Sequence, residues 1–488
     1  MTVAVRIRSY GKIRLSIFLG PVGLERVATL LSFIVPALIR WIPEAQFPYP
    51  VGFDTPLYIS WGRHYASNPV AFPLILPLLG GLYALGLDMV AVMKYLPTLL
   101  YGLLGLSIYR FSRSHLGWRL EKCLLAVFVV ALSLASLRVS WDMHKQLMAT
   151  AFLFLALSWL KSLNRPLGFA AFAFLSFLAA FSHEVVFGVL MVVSLYWFLS
   201  KVCEEPKKGL PILVVVLGIL FLFVGAWYGW RLDEILRRGL GSWLSDASSL
   251  GDRWLWEAEK NLSEFFKLYG LIVPLMVLGL FKDSVLLPWL GLGLLGSFST
   301  VLFPLYVPSI TPSRWMLLLA YPFSFYVAHG FDRLRLLRIG SLGRLMALTL
   351  VLLAINVPTW GFLGLTSQPS QFTIVGFLPE SMVSSSIPLH DIEATIWLVK
   401  RFDETAGTVL IVHGHYFGWA SYYTGKRVVT FGELYGADRT IKQALDLAQK
   451  EDAGDIYLLW YVDGDAYSSG FVKVAEKGPM KLYRYVKA

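Results

Sequence analysis

The stretch PLGFAAFAFLSFLAAFSHEVVFGVLMVVSLYWFLS, residues 166–200, decides how this chain is read. It is apolar almost throughout, yet His183 and Glu184 stand at its middle. From 167 to 200 it runs for about 34 residues, ~50 Å as a single helix, against a hydrocarbon core of ~30 Å. One over-long helix fits a bilayer poorly. Two short helices that turn at Ser182–His183–Glu184 fit well and put the imidazole and the carboxylate at a membrane surface, or in a water-filled notch just below it.

The rest of the chain agrees with a membrane setting. Of 488 residues 56% are hydrophobic and 15% charged, whereas soluble domains carry charge at about a quarter of their positions. Long apolar runs predict a polytopic α-helical membrane protein. The short alternating segments of a β-barrel are missing. The net charge of +11 does not point to nucleic acid, because the basic residues cluster in short loops between apolar runs and read as topology determinants. Cys123 begins an apolar segment and Cys203 lies beside a Lys-bearing loop, so neither a structural disulfide nor a metal spacing is expected. The basic start MTVAVRIRSYGKIR leads into an apolar segment without a small-residue cleavage site, and reads as an uncleaved signal anchor.

Candidate spans fall at 24–43, 90–110, 121–137, 145–163, 167–181, 185–200, 209–230, 268–281, 285–307, 314–330 and 341–358, about eleven in all. One further segment, 69–87, is crowded with Pro and Gly. If it does not cross, the basic stretches 1–14, 110–122, 161–165, 201–208 and 332–344 share one side, as the positive-inside rule requires. If it crosses, that pattern collapses. It is therefore expected as an amphipathic or re-entrant segment on the outer face.

This threading collects the polar clusters outside the cytoplasm. The first outer loop, VGFDTPLYISWGRHY, carries Asp54, Arg63 and His64, and the next, RVSWDMHKQ, carries Arg138, Asp142, His144 and Lys145. A longer loop spans 231–267, and PSRWMLLL puts Arg314 at the outer mouth of a late helix. From about 390 the chain turns soluble-like. DIEATIWLVKRFDE and RTIKQALDLAQKE read as helices, while TVLIVHG, DIYLLWYV, FVKVAEK and MKLYRYV read as strands. The expected organisation is a membrane region 1–360, a Ser-, Pro- and Gly-rich linker 361–389, and a small extracytoplasmic α/β domain 390–488, with the N-terminus cytoplasmic.

Each cluster has a structural and a chemical reading. Asp54 precedes Thr-Pro and suits a helix N-cap; it also suits a general base for an acceptor hydroxyl, provided one oxygen stays open. Asp142, His144 and Lys145 fit an interfacial cap with a snorkelling lysine, or a polar site completing that of Asp54. His183–Glu184 could cap a tight turn, but ionisable groups inside apolar helices default to function. Arg314 is an interfacial anchor or a fork for phosphate. His413 and His415 follow a strand, where α/β folds hold ligands, though two such histidines are also ordinary loop content.

The ordered pattern GFDTPLY, a Pro-rich outer segment, SWDMHKQLMATAFLFLAL, a helix pair broken at FSHE and a late PSRWMLLLAYPF resembles the GT-C class of membrane glycosyltransferases. The likeness is to prokaryotic, archaeal members near the protein O-mannosyltransferase and aminoarabinose transferase branches. It covers most of the membrane region, and the trailing α/β domain is similar to those appended to many archaeal members. The resemblance implies transfer of a sugar, with inversion, from a polyprenyl (dolichyl) phosphate carrier to a glycan, lipid or protein acceptor on the extracytoplasmic face. It implies Asp54 as catalytic acid/base, Asp142 and His144 as second-loop site residues, His183 and Glu184 on the acceptor or metal side, and Arg314 at the lipid-linked phosphate. Lys145 and Arg63 join the substrate-binding set, and Glu184 joins the catalytic carboxylates. A divalent cation (Mg or Mn) would take its ligands from Asp54, Asp142, His183 and Glu184. The Trp-Trp-Asp-Tyr-Gly signature of oligosaccharyltransferases is absent, and the first loop has one Asp where many relatives have an acidic pair. A transporter or lipid flippase is the alternative, but no inverted repeat is seen and polar residues gather in outer loops instead of at mid-bilayer. A third reading is an assembly protein that binds a partner through its outer domain.

Overall fold

The computed structural model describes residues 2–67, 73–204, 250–270, 272–280, 285–299, 312–336, 358–367, 378–384, 386–401, 408–424, 427–431, 455–460 and 470–486, with positions 373, 446 and 450 besides. The fold is mostly helical with a small C-terminal sheet. It divides into two compact units. The first comprises Met1–Arg40, Thr98–Ser140 and His144–Glu380, the second Trp41–Pro97, Trp141–Met143 and Ser381–Ala488.

The first unit is built from α1 (Thr2–Gln46), α4 (Met89–Ser114), α5 (Leu120–Leu132), α6 (Leu134–Asp142), α7 (His144–Leu157), α8 (Pro166–Ser182), α9 (Glu184–Glu204), α10 (Leu250–Tyr269), α11 (Val273–Leu278), α12 (Leu287–Ser297) and α13 (Pro312–Leu336). The last turns of α1 and the first turns of α4 pass into the second unit. Among the described residues, Val22–Gln46, Met89–Ser114 and Glu184–Glu204 are long and apolar enough to cross a membrane, and the pair α5–α6, bent by 61°, is either a broken fourth span or a re-entrant loop. The expected spans 209–230 and 341–358 lie outside the described residues, apart from Pro358.

The long run splits where the sequence predicts. Helix α8 ends at Ser182 and α9 begins at Glu184. Between them His183 is extended, at φ −163° and ψ 125°, and its carbonyl accepts the Phe187 amide at 3.0 Å. Glu184 in the first turn of α9 meets the positive end of that helix dipole.

The region around Asp142 differs from expectation. RVSWDMHKQ reads as a loop, but the chain stays helical through Asp142 and resumes at His144, leaving only Met143 between two helices. The predicted span 121–137 is correspondingly two helices, hinged at Ser133 in extended backbone. Breaking a helix inside an apolar setting strands carbonyls that nothing else can solvate. Here the Tyr101 hydroxyl lies 3.2 Å from the Val130 carbonyl and 3.1 Å from that of Ala131, while the Thr359 hydroxyl donates to the Leu132 carbonyl. Two side chains from elsewhere in the unit thus answer for the hinge.

The second unit contains α2 (Thr55–Ser67), α3 (Ile75–Ala84), α14 (Leu389–Val399), α15 (Gly414–Thr424) and a five-stranded sheet. The strands are β1 (Val409–His413), β2 (Arg427–Phe431), β3 (Ile456–Trp460), β4 (Phe471–Lys477) and β5 (Met480–Tyr485), in the order β2-β1-β3-β5-β4. β1 runs parallel to both β2 and β3, and β5 is antiparallel to β3. Every residue of β1 and of β3 is buried, which is why VLIV and IYLLW are unbroken apolar runs instead of alternating ones.

Helix α15 is docked on α2. A Cβ added at Gly418 would lie 2.2 Å from the Pro56 carbonyl carbon and 2.6 Å from the Leu57 nitrogen, so backbone meets backbone there and only glycine fits. The Arg63 guanidinium donates to the Tyr422 carbonyl, and the Tyr422 hydroxyl donates to Asp88 at 3.1 Å. The segment that carries Asp54 and α2 and the C-terminal α/β segment are therefore parts of one body.

Candidate functional site

Two polar clusters emerge, one in each unit. In the second unit the cluster is organised by the loop that carries Asp54. The Val51 amide donates to Glu44 at 3.1 Å, and the Gly52 amide donates to the Ser386 hydroxyl at 3.2 Å. Ser386 passes its own proton to the Met382 carbonyl, which also accepts the Trp141 indole N–H at 3.1 Å. Gly52 has φ +132°, and a Cβ on it would stand 2.6 Å from the Trp141 carbonyl oxygen. That backbone conformation and that approach both demand glycine. The consequence is chemical: Asp54, two residues past Gly52, and Asp142, next to Trp141, ride on chain segments pressed together.

Asp54 sits immediately before α2, its carbonyl accepting the Leu57 amide at 3.0 Å, and is half-buried. The N-cap position expected from Asp-Thr-Pro is thus the one it occupies. Asp142 is buried. Arg63, a candidate substrate ligand, spends its guanidinium on the Tyr422 carbonyl. Phe53 stands edge-on to the His415 ring at 4.5 Å between centroids, so the residue preceding Asp54 is itself packed on the C-terminal segment.

In the first unit the cluster surrounds the helix break. His183 is buried, and its Nδ1 has no hydrogen-bond partner. The charges that act on its ring are those of Glu184, Arg314 and Lys145. Three separate helices therefore bring these groups together: α9 brings Glu184, α7 Lys145 and α13 Arg314. Glu184 and Arg314 are exposed, Lys145 half-buried. A buried imidazole with Nδ1 unsatisfied, beside one carboxylate, two cations and a helix N-terminus, is a setting of net positive charge that suits an oxyanion.

His144, at the start of α7, is fully buried, and the nearest charge acting on it is Arg40. Arg40 is itself fully buried and donates to the Ser140 carbonyl at 3.2 Å. Sequence reasoning passes over Arg40 by taking it as part of the span 24–43, although an arginine inside an apolar segment was the available signal.

A divalent cation does not fit the cluster at the break, because Lys145 and Arg314 oppose it. Among the described residues no three His, Cys, Asp or Glu side chains gather in a way that could hold a metal.

At the carboxyl end of β1, His413 and His415 stack at 5.6 Å, and the His415 amide donates to His413 Nδ1 at 3.3 Å. Burial, then the neighbouring His415, push His413 down to about 4. Burial lowers His415 too, against the pull of the Asp391 carboxylate. Asp391 in turn accepts the Tyr416 hydroxyl at 3.0 Å. Both histidines are neutral near pH 7. No protein-family model and no curated protein matches the sequence of this chain.

Proposed function

We propose that this chain is an integral-membrane inverting glycosyltransferase of the GT-C kind, with about eleven spans, a cytoplasmic N-terminus and an extracytoplasmic C-terminal domain. It moves a sugar from a polyprenyl-phosphate carrier to a hydroxyl of a glycan, lipid or protein acceptor. The acceptor oxygen forms a bond to the anomeric carbon as the bond from that carbon to the phosphate oxygen breaks. Asp54, with Asp142 beside its loop, takes the acceptor proton, which requires hydrogen-bond reach of about 2.6–3.2 Å. The lipid phosphate departs with an added negative charge, which Lys145 and Arg314 stabilise while the idle Nδ1 of His183 supplies a donor. Glu184 orients the cations and the imidazole.

The observation that carries the reading is the cluster at the helix break: a buried imidazole whose Nδ1 has no partner, with Glu184, Arg314 and Lys145 acting on it, at the start of α9, which is long and apolar enough to cross a membrane. Ion pairing alone would leave no reason to bury an unsatisfied histidine nitrogen there.

Purified protein with synthetic polyprenyl-phosphate sugars tests the proposal by following release of the lipid phosphate. Asp54→Asn abolishes turnover in a protein that still folds, and Arg314→Gln raises the donor KM. Full activity in Asp54→Asn removes the base assignment, and an unchanged donor KM in Arg314→Gln removes the phosphate assignment.

A further inference from the structure

Helix α10, Leu250–Tyr269, carries seven charged residues in twenty, too many for a segment that crosses a bilayer. Its exposed residues are not a random set. Leu255, Leu262 and Phe266 are 63%, 43% and 62% exposed. At seven and eleven residues from the first, they fall within about 40° of one another around the helix. The adjoining arc holds Glu259, Lys260 and Ser263, also exposed. The remaining flank faces the protein: Asn261, Glu264 and Tyr269 are buried, and Phe265 is half-buried.

The helix cannot roll to hide its apolar stripe. The Tyr269 hydroxyl donates to the Met316 carbonyl on α13, Phe265 and Tyr269 pack on Phe323 of the same helix, and Lys267 donates to the Thr373 carbonyl at 3.1 Å. One helix therefore presents three sides: protein on one flank, exposed apolar side chains on the second and exposed polar ones on the third. Trp256, 57% exposed, stands on the polar arc with Lys260 over its ring at 5.0 Å. Such an aromatic–lysine pair suits the headgroup layer.

We propose that α10 lies in the plane of the membrane surface, with the boundary between headgroups and acyl chains of the bilayer as its partner. Leu255, Leu262 and Phe266 dip into the first methylenes, and Glu259, Lys260 and Ser263 face water. The bilayer is the occupant because the same unit already presents apolar side chains outward from spanning or near-spanning helices, such as Phe174 and Phe177 on α8 and Leu195 and Leu199 on α9. Its polar arc carries both signs of charge, so zwitterionic lipid suffices. An in-plane helix of this kind buries its apolar face roughly 5–10 Å deep. Trp256 takes an interfacial role here.

The test uses the full-length protein in phosphatidylcholine nanodiscs and needs no enzymatic readout, so its outcome is separate from that of the proposed reaction. With exposed Cys203 replaced by serine, cysteines are introduced one at a time as Leu255→Cys, Leu262→Cys, Phe266→Cys, Lys260→Cys and Ser263→Cys, and spin-labelled. Collision rates with oxygen and with a water-soluble nickel chelate are then compared. Labels at 255, 262 and 266 favour oxygen, and those at 260 and 263 favour nickel, with a reversal between the neighbours 262 and 263. Equal nickel access at all five positions overturns the proposal, as does exclusion of both reagents at 255, 262 and 266, which would mean a protein cover. Where a variant fails to fold, hydroxyl-radical footprinting of the unaltered protein reads the same contrast. Phe266 is then protected while Trp256 is modified, and equal modification of the two counts against it.

Discussion

Replacing Gly418 by valine puts the union of α2 and the C-terminal segment to a direct test. A Cβ there would stand 2.2 Å from the Pro56 carbonyl carbon, 2.3 Å from its oxygen and 2.6 Å from the Leu57 nitrogen. Ordinary carbon contacts lie at about 3.5–4.0 Å, so α15 and α2 must separate by more than 1 Å. Both obstacles are backbone, which cannot swing aside like a side chain. Overpacking of this kind costs typically 1–3 kcal/mol, and the upper end applies where nothing flexible can yield. At about 3 kcal/mol, a unit of this size loses ~6–12 °C of melting midpoint. Differential scanning fluorimetry at fixed scan rate, with limited proteolysis of the C-terminal segment, reads both the lower midpoint and faster cleavage. Gly414→Ala is the control, because nothing lies within 4 Å of a Cβ at that position. A Gly418→Val protein with wild-type midpoint and wild-type proteolysis refutes the docking of α15 on α2.

Two further predictions concern the hinge and the histidine pair. Tyr101→Phe leaves the Val130 and Ala131 carbonyls at the α5–α6 hinge without their hydroxyl donor and costs about 1–3 kcal/mol, measurable as a lower thermal midpoint; unchanged stability would mean the hinge carbonyls find donors without it. His413 sits at about 4 in the folded protein against ~6.5 unfolded, so between those values the unfolded chain binds more protons. Stability of the second unit is therefore full above pH ~6.5 and falls as the pH drops toward 4. His413→Asn flattens that slope, and an identical slope in the variant assigns the pH dependence elsewhere.

What the sequence discloses follows from how local the cause is. The break at His183 was legible because length alone forbids one helix, and the start of α2 because Asp-Thr-Pro caps a helix by its own chemistry. The helix Leu389–Val399 and the strands β1, β3, β4 and β5 likewise announce themselves by apolar runs and alternation. By contrast, HYFGWASYYT was not recognised as helix α15, nor RVVTF as β2. Tyrosines, tryptophan and β-branched residues favour strand locally, and it is packing on α2 and pairing with β1 that decide. The hinge at Ser133 has no punctuation in the sequence, since its rescue by Tyr101 and Thr359 is a long-range event. For the same reason Ser386 and Met382 could not be seen as the groups that seat the loop of Asp54, because they lie more than three hundred residues from it. Of the candidate site, the sequence singles out His183, Glu184, Lys145 and Arg314 one by one, and their joining from three helices is a long-range event, whereas Arg63 holds Tyr422.

The most direct measurement reconstitutes the full-length protein into vesicles with a fluorescent polyprenyl-phosphate sugar and a hydroxyl acceptor, and follows two quantities in the same sample: free polyprenyl phosphate, and the distribution of intact donor between leaflets. The account predicts lipid phosphate released in step with an anomerically inverted product, and a leaflet distribution that stays put. Donor that changes leaflet with its sugar still attached, and no phosphate released, would contradict it and leave a lipid transporter in its place.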